Sequence, residues 1–182
     1  TKSSTAGLII YLNGVAVITQ TGETGDYTNG TQANSKNVLG GYYVLNALQT
    51  SFALKGKIDQ VRIFSKALSS SEVSTLYNSG NGETACVHTA TTTDNAYPVA
   101  NTMYYKLDNS AIDETGTSTA TEQQIEYRFG KYGQAALFNG LNNGSEINTN
   151  YTTGDTALTH SIWMNQSGIS AGGFNVVLGA YW

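Results

Sequence analysis

LKGKIDQVRIFSKALSSSEVSTLYN, residues 54–78, joins a strand pattern to a helix pattern with almost nothing between. Asp59, Val61 and Ile63 fall on one face of an extended segment, and Gln60, Arg62 and Phe64 on the other, as a two-residue period requires. Ser69 to Glu72 reads S-x-x-E, so the Ser69 hydroxyl can accept from the N–H of residue 72 while Glu72 reaches back to the N–H of Ser69. That opens a short helix in which Val73, Leu76 and Tyr77 make an apolar stripe at i, i+3 and i+4. Ser79, Gly80, Asn81 and Gly82 stop it.

The run G-K-I-D-Q-V-R-I followed by A-L-S-S-S-E-V resembles the end of a laminin-G-like or concanavalin A-like jelly-roll module. A second set of motifs, Y-Y-K-L-D, the D-E-T-G turn, F-G-K-Y-G-Q-A-A-L-F-N-G and S-I-W-M, resembles the beginning of the same module. Residues 1–79 therefore read as the second half of one jelly roll, 80–101 as a Thr-rich linker, and 102–182 as the first half of the next. The resemblance implies an all-β, antiparallel jelly-roll β-sandwich with one short helix after the last strand of the first half. Half a jelly roll leaves strand edges and half a core exposed. Three arrangements complete it: neighbouring modules in a longer tandem array, closure within this chain in permuted order, or exchange of halves between chains.

Composition agrees with strands. Charged residues are 12% of the 182, about half the usual share, and Gly, Ser, Thr, Asn and Tyr supply the polarity. A net charge of −4 with nine Lys and Arg argues against nucleic acid, whose affinity rests on neutralising phosphates, and against a polyanion in general. Cys86 is the one cysteine, so no intrachain disulfide forms. No run is long and apolar enough to span a membrane. The start at Thr1 carries no signal-peptide pattern, and a chain without an initiator Met is expected to be a processed or excerpted piece.

Residues 8–19, LIIYLNGVAVIT, predict a hairpin about Asn13-Gly14, a pair suited to a type I′ turn. The in-phase register sets Leu12 against Val15, Tyr11 against Ala16, Ile10 against Val17, Ile9 against Ile18 and Leu8 against Thr19. Apolar on both faces, it predicts an interior strand pair. Residues 20–36 read as a long polar loop, the kind of segment on which binding sites are built. Residues 37–44 read as a strand with an irregularity at Gly40-Gly41 that re-aims Tyr42 and Tyr43.

No catalytic residue is assigned. The E-x-D-x-x-E type of strand motif used by related glucan hydrolases is absent; Glu122 and Glu126, four positions apart on one strand, would be separated by roughly 13 Å, against the ~5–9.5 Å of glycosidase pairs. His88 and His160 share no metal-ligand spacing. The family resemblance implies a structural calcium ion, with Asp59, Asp108 and Asp113 as ligands; the alternative is that Asp59 accepts backbone N–H bonds in a turn. Glycan binding, which the resemblance also implies, places Asp26 and Tyr27 in the long loop with Tyr42 and Tyr43 nearby, since sugars stack on aromatic faces. Twelve tyrosines make chance clustering common.

The tandem halves, the linker and the low charge resemble virion proteins of tailed bacteriophages. The expectation is a non-enzymatic, lectin-like module of a virion fibre or decoration protein that binds glycans on a host or environmental surface and contacts neighbouring copies or other virion proteins. The alternatives are a structural spacer that assembles by strand pairing, and an accessory carbohydrate-binding domain of a secreted bacterial enzyme.

Overall fold

In the computed structural model, residues 2–3, 7–22, 37–41, 43–44, 47–48, 53–80, 102–141, 145–150, 157–169 and 176–180 are described. Their strands are β1 (Lys2–Ser3), β2 (Gly7–Leu12), β3 (Val15–Gln20), β4 (Asn37–Leu39), β5 (Tyr43–Val44), β6 (Ala47–Leu48), β7 (Lys55–Phe64), β8 (Met103–Tyr105), β9 (Thr121–Gln123), β10 (Glu126–Phe129), β11 (Gln134–Asn139), β12 (Glu146–Asn148), β13 (Ala157–Gln166) and β14 (Leu178–Ala180). One α-helix, α1 (Ser70–Tyr77), follows β7, and a single 3₁₀ turn, Asn78–Gly80, follows α1. The expected all-β, antiparallel architecture with one short helix is the one observed.

The chain forms two compact units, one of residues 1–28, 62–102 and 154–160, the other of residues 29–61, 103–153 and 161–182. In the first, β1 pairs with both β13 and β2, through Lys2↔Leu158 and Lys2↔Leu8. The Asn13-Gly14 turn forms with positive φ at both residues, 52° and 76°, as a type I′ turn demands. Its register holds for Leu12↔Val15 and Tyr11↔Ala16, then slips at a bulge, so that Ile10 faces Ile18, Ile9 faces Thr19 and Leu8 faces Gln20. The expected in-phase register is thus corrected beyond Tyr11. So is the expected interior position, because every residue of β3 is exposed. Apolar side chains on both faces of a ribbon do not require a second neighbour strand.

The capping box forms as read: Ser69 Oγ accepts from the Glu72 N–H at 3.3 Å, and Glu72 Oε2 accepts from the Ser69 N–H at 2.8 Å. Leu76 of α1 is buried with Phe64 and Leu68, and Val73 packs against them. Tyr77 lies over the hairpin turn, where a Cβ on Gly14 would come within 2.7 Å of its ring. Thr159 of β13 accepts from the Leu68 N–H and donates to the Lys66 carbonyl, fixing the turn before the helix.

In the second unit, β11 runs between β10 and β7, β8 also pairs with β7, and β13 lies along the other side of β7. A second sheet has the order β14-β4-β12-β9. Ile58, Leu39, Phe138, Ile147, Tyr105 and Leu107 are among the fully buried side chains of this unit. Strands from residues 1–79 and from residues 102–182 therefore pair with each other inside both units, as β1 with β13, β7 with β11 and β4 with β12.

The alternation expected along β7 is interrupted. Gln60 takes a left-handed φ of 51°, and every residue from Ile58 to Phe64 is buried. A left-handed residue within a strand is the mark of a bulge, and it decouples the phase of Asp59 from that of Val61 and Ile63. Tyr104 donates its hydroxyl hydrogen bond to the Gln60 side chain.

Candidate functional site

In the second unit, β11 and the adjacent residues of β7 and β13 frame a cavity of about 270 Å³ together with the β10–β11 turn. Lys57 and Asp59 reach it from β7, Ala135 from β11, Trp163, Met164 and Asn165 from β13, and Gly130 and Lys131 from the turn. That volume is just below the ~300–1,000 Å³ of typical small-molecule sites, room for one ring-sized group.

Two features of the sequence produce this opening. Gly56 lets β13 run close to β7: a Cβ there would meet the Asn165 carbonyl and come within 2.9 Å of the Gln166 Cα. The turn F-G-K-Y-G-Q is tight, with the Gly130 N–H donating to the Gly133 carbonyl at 3.1 Å, and the left-handed Gly133 closes it.

Two carboxylates hold the turn from outside. Asp59 Oδ2 accepts from the Tyr132 N–H at 2.9 Å, and Asp108 Oδ1 accepts from the Gln134 N–H at 2.6 Å. A Cβ on Gly130 would come within 2.6 Å of Asp59 Oδ2, so only glycine allows this grip. Asp59 is 3% exposed. Burial pushes its carboxyl up to about 6, the nearby Asp108 charge adds to the rise, and the backbone N–H groups of Tyr132, Lys131 and Gln60 oppose it. Oδ1 is buried without a hydrogen bond of ordinary geometry.

The turn builds an aromatic and cationic cluster beside the cavity, which Lys131 and Trp163 line. The Tyr132 and Trp163 rings meet edge to face, with centroids 6.0 Å apart and planes at 79°. The Lys131 ammonium lies 5.2 Å from the Trp163 ring centre and 5.8 Å from that of Tyr132, within cation–π range. Lys57 Nζ donates to the Phe129 carbonyl at 2.7 Å.

The candidate metal ligands are placed as follows. Asp59 and Asp108 both grip the β10–β11 turn. Asp113 is turned into its own loop, where its oxygens accept from the backbone N–H groups of Tyr104, Thr115, Thr117 and Ser118. Among the described residues no three His, Cys, Asp or Glu side chains are grouped to hold a metal ion. Asp59 accepts a backbone N–H bond from the turn, the arrangement weighed as the alternative to an ion ligand.

Of the candidate glycan ligands, Asp26, Tyr27 and Tyr42 lie outside the described residues, and Tyr43 is described only as backbone in β5. Glu122 and Glu126 stand on different strands, β9 and β10, which corrects their reading as one strand. Glu122 accepts from the Ala111 N–H and Glu126 pairs with Arg128. The sequence reading did not single out Lys57, Lys131, Tyr132 or Trp163 as a site. Its available signal was a Lys-Tyr pair between two glycines.

Among the described residues, Asp59 is the one carboxylate lining the cavity. A carboxyl raised to about 6 suits a general acid, and glycoside hydrolysis pairs such a group with a second carboxylate across the bond; the other described lining residues are Lys57, Gly130, Lys131, Ala135, Trp163, Met164 and Asn165. The arrangement can stack a ring and bond to its substituents.

Comparison with curated proteins and with solved structures gives no match. Residues 1–74 match the family model Laminin_G_3, described as the concanavalin A-like lectin/glucanases superfamily. That stretch runs from β1 into α1 and includes the strand–helix junction around Asp59. With the antiparallel sheets and single helix, the match identifies a concanavalin A-like β-sandwich fold, the scaffold of lectins and glucanases alike.

Proposed function

We propose that this chain is a non-enzymatic, lectin-like module whose glycan site is the cavity beside Trp163. The observation that carries the reading is the Trp163–Tyr132 pair at a sugar-sized opening, with Asn165 and Lys131 alongside. An aromatic face takes the apolar face of a sugar ring while the polar groups bond its hydroxyls. The family match makes carbohydrate binding the natural use of such a cavity. Decoration or adhesion at a virion surface is the setting we propose on the resemblance of the paired halves, with secretion as the alternative.

A glycan array tests this. Trp163→Ala is expected to lower affinity for the bound glycan about tenfold or more, since it removes the stacking face and its buried area. Tyr27→Ala and Tyr42→Ala serve as comparators. Loss of binding in those variants with Trp163→Ala unaffected would move the site to the long loop.

A second reading, assembly by strand pairing, is favoured by β3. Residues 8–20 carry no charge, and Ile10, Leu12, Val15, Val17 and Ile18 are exposed. Uncharged, apolar edges pair readily. On this reading sedimentation shows association that rises with concentration and disappears in Val17→Lys; a wild type that stays monomeric at high concentration excludes it.

A further inference from the structure

We infer that the sugar taken by the cavity carries an anionic group, a carboxylate or a sulfate ester, held by Lys57 and Lys131 beside the Trp163 ring. This rests on the glycan-binding reading and narrows it to a class of ligand.

Three other cations are neutralised by carboxylates. Lys66 pairs with Glu72 at 2.5 Å, Lys106 with Glu114 at 3.3 Å and Arg128 with Glu126 at 2.6 Å. Lys57 and Lys131 differ. Their ammonium groups meet a backbone carbonyl and two aromatic faces, and among the described residues neither meets a carboxylate. Both line one cavity.

The carboxylate that shares the cavity does not neutralise them. Asp59 bonds to the backbone of the turn, and among the described residues no ion pair joins it to either lysine. A neutral sugar would cover two ammonium groups and give them hydroxyl oxygens in place of water. An anionic substituent gives them charge-assisted hydrogen bonds, roughly twice as strong as neutral ones.

The chain's net charge of −4 does not oppose this. At physiological salt, charges beyond the Debye length of about 8 Å are screened, so two lysines at one opening act locally. Among the described lining residues Lys57 and Lys131 are the basic ones, so the site reads one charged residue of a glycan and not a continuous polyanion backbone.

The experiment is titration calorimetry on the whole chain with four probes: a galacturonate tetramer, its methyl ester, a sulfated galactan tetramer and the unsulfated galactan. The acid or the sulfated form is expected to bind about tenfold tighter than its neutral counterpart at low salt, and the preference to shrink as salt rises. Lys57→Gln with Lys131→Gln removes the preference, and the double Lys→Arg variant keeps it. Response to the uronate alone or to the sulfated galactan alone names which anion is read, and either result supports the inference. Neutral forms that bind as tightly as the charged ones overturn it and leave the glycan reading intact. A preference that survives the double Gln variant also overturns it, because the anion is then read elsewhere. If no glycan binds the wild type, the glycan reading fails and this inference fails with it.

Discussion

Phe138→Ala is expected to cost about 3–5 kcal/mol of folding stability, measured as the shift in urea-unfolding midpoint at constant slope. Phe138 is 1% exposed, near the C-terminal end of β11, with its backbone paired to Gly56. Its ring fills the space that Gly40 leaves open: a Cβ on Gly40 would come within 2.9 Å of the Phe138 Cγ and closer still to the ring edge. The loss is a large part of the ~5–15 kcal/mol that holds most domains folded.

The same contact gives that prediction a control. Gly40→Ala meets both the ring and a φ of +77°, so it is costly alone. With Phe138→Ala present the collision is gone, and only the backbone term of about 1 kcal/mol remains. The two losses should therefore sum to clearly more than the loss in the double variant. An additive cycle would show that ring and glycine do not share the space.

Asp59→Asn is expected to stabilise the protein at pH 7–8 and to change it little at pH 4. The folded carboxyl sits at about 6 against an ordinary value of 3.8, raised first by burial. Between those values the folded state holds more protons than the unfolded one. Stability from this group is therefore greatest below pH 4, falls as pH rises to about 6, and stays low above it. Two units correspond to at most about 3 kcal/mol, and less where water at the cavity mouth screens the charge. Asn keeps an oxygen for the Tyr132 N–H, whereas Ala would leave that donor without its acceptor. His160 acts with the opposite sign, because burial lowers it to about 4 and its contribution grows as pH rises toward its unfolded value. The difference between wild type and Asp59→Asn isolates the carboxyl, and a difference that is flat from pH 4 to 8 would rule out its burden.

Local features were legible in the sequence because they are decided within a few residues. Asn13-Gly14 specified its turn, and Ser69 with Glu72 specified the helix start. The hairpin register was legible only as far as Tyr11, since the bulge is settled by how the whole ribbon twists and not by the turn. Asp59 could be read as a carboxylate in need of a partner, but the partner, the Tyr132 N–H, is 73 residues away. The cavity was not legible for the same reason. Its parts come from residues 57–59, 130–135 and 163–165, which meet only once β13 and β11 flank β7. Trp163 could be assigned to one face of a strand; that this face meets Lys131 and Tyr132 depends on strand order. Twelve tyrosines also made any one of them a weak signal.

The turn from Gly130 to Gly133 separates two jobs that binding loops usually combine. Its backbone is clamped by Asp59 and Asp108 through the N–H groups of residues 132 and 134, while the side chains of Lys131 and Tyr132 meet beside Trp163. Neither clamp depends on which side chains occupy positions 131 and 132. Those two positions work like interchangeable bits in a fixed chuck, so a library varied there would sample ligand preference while the hold on the turn stays constant.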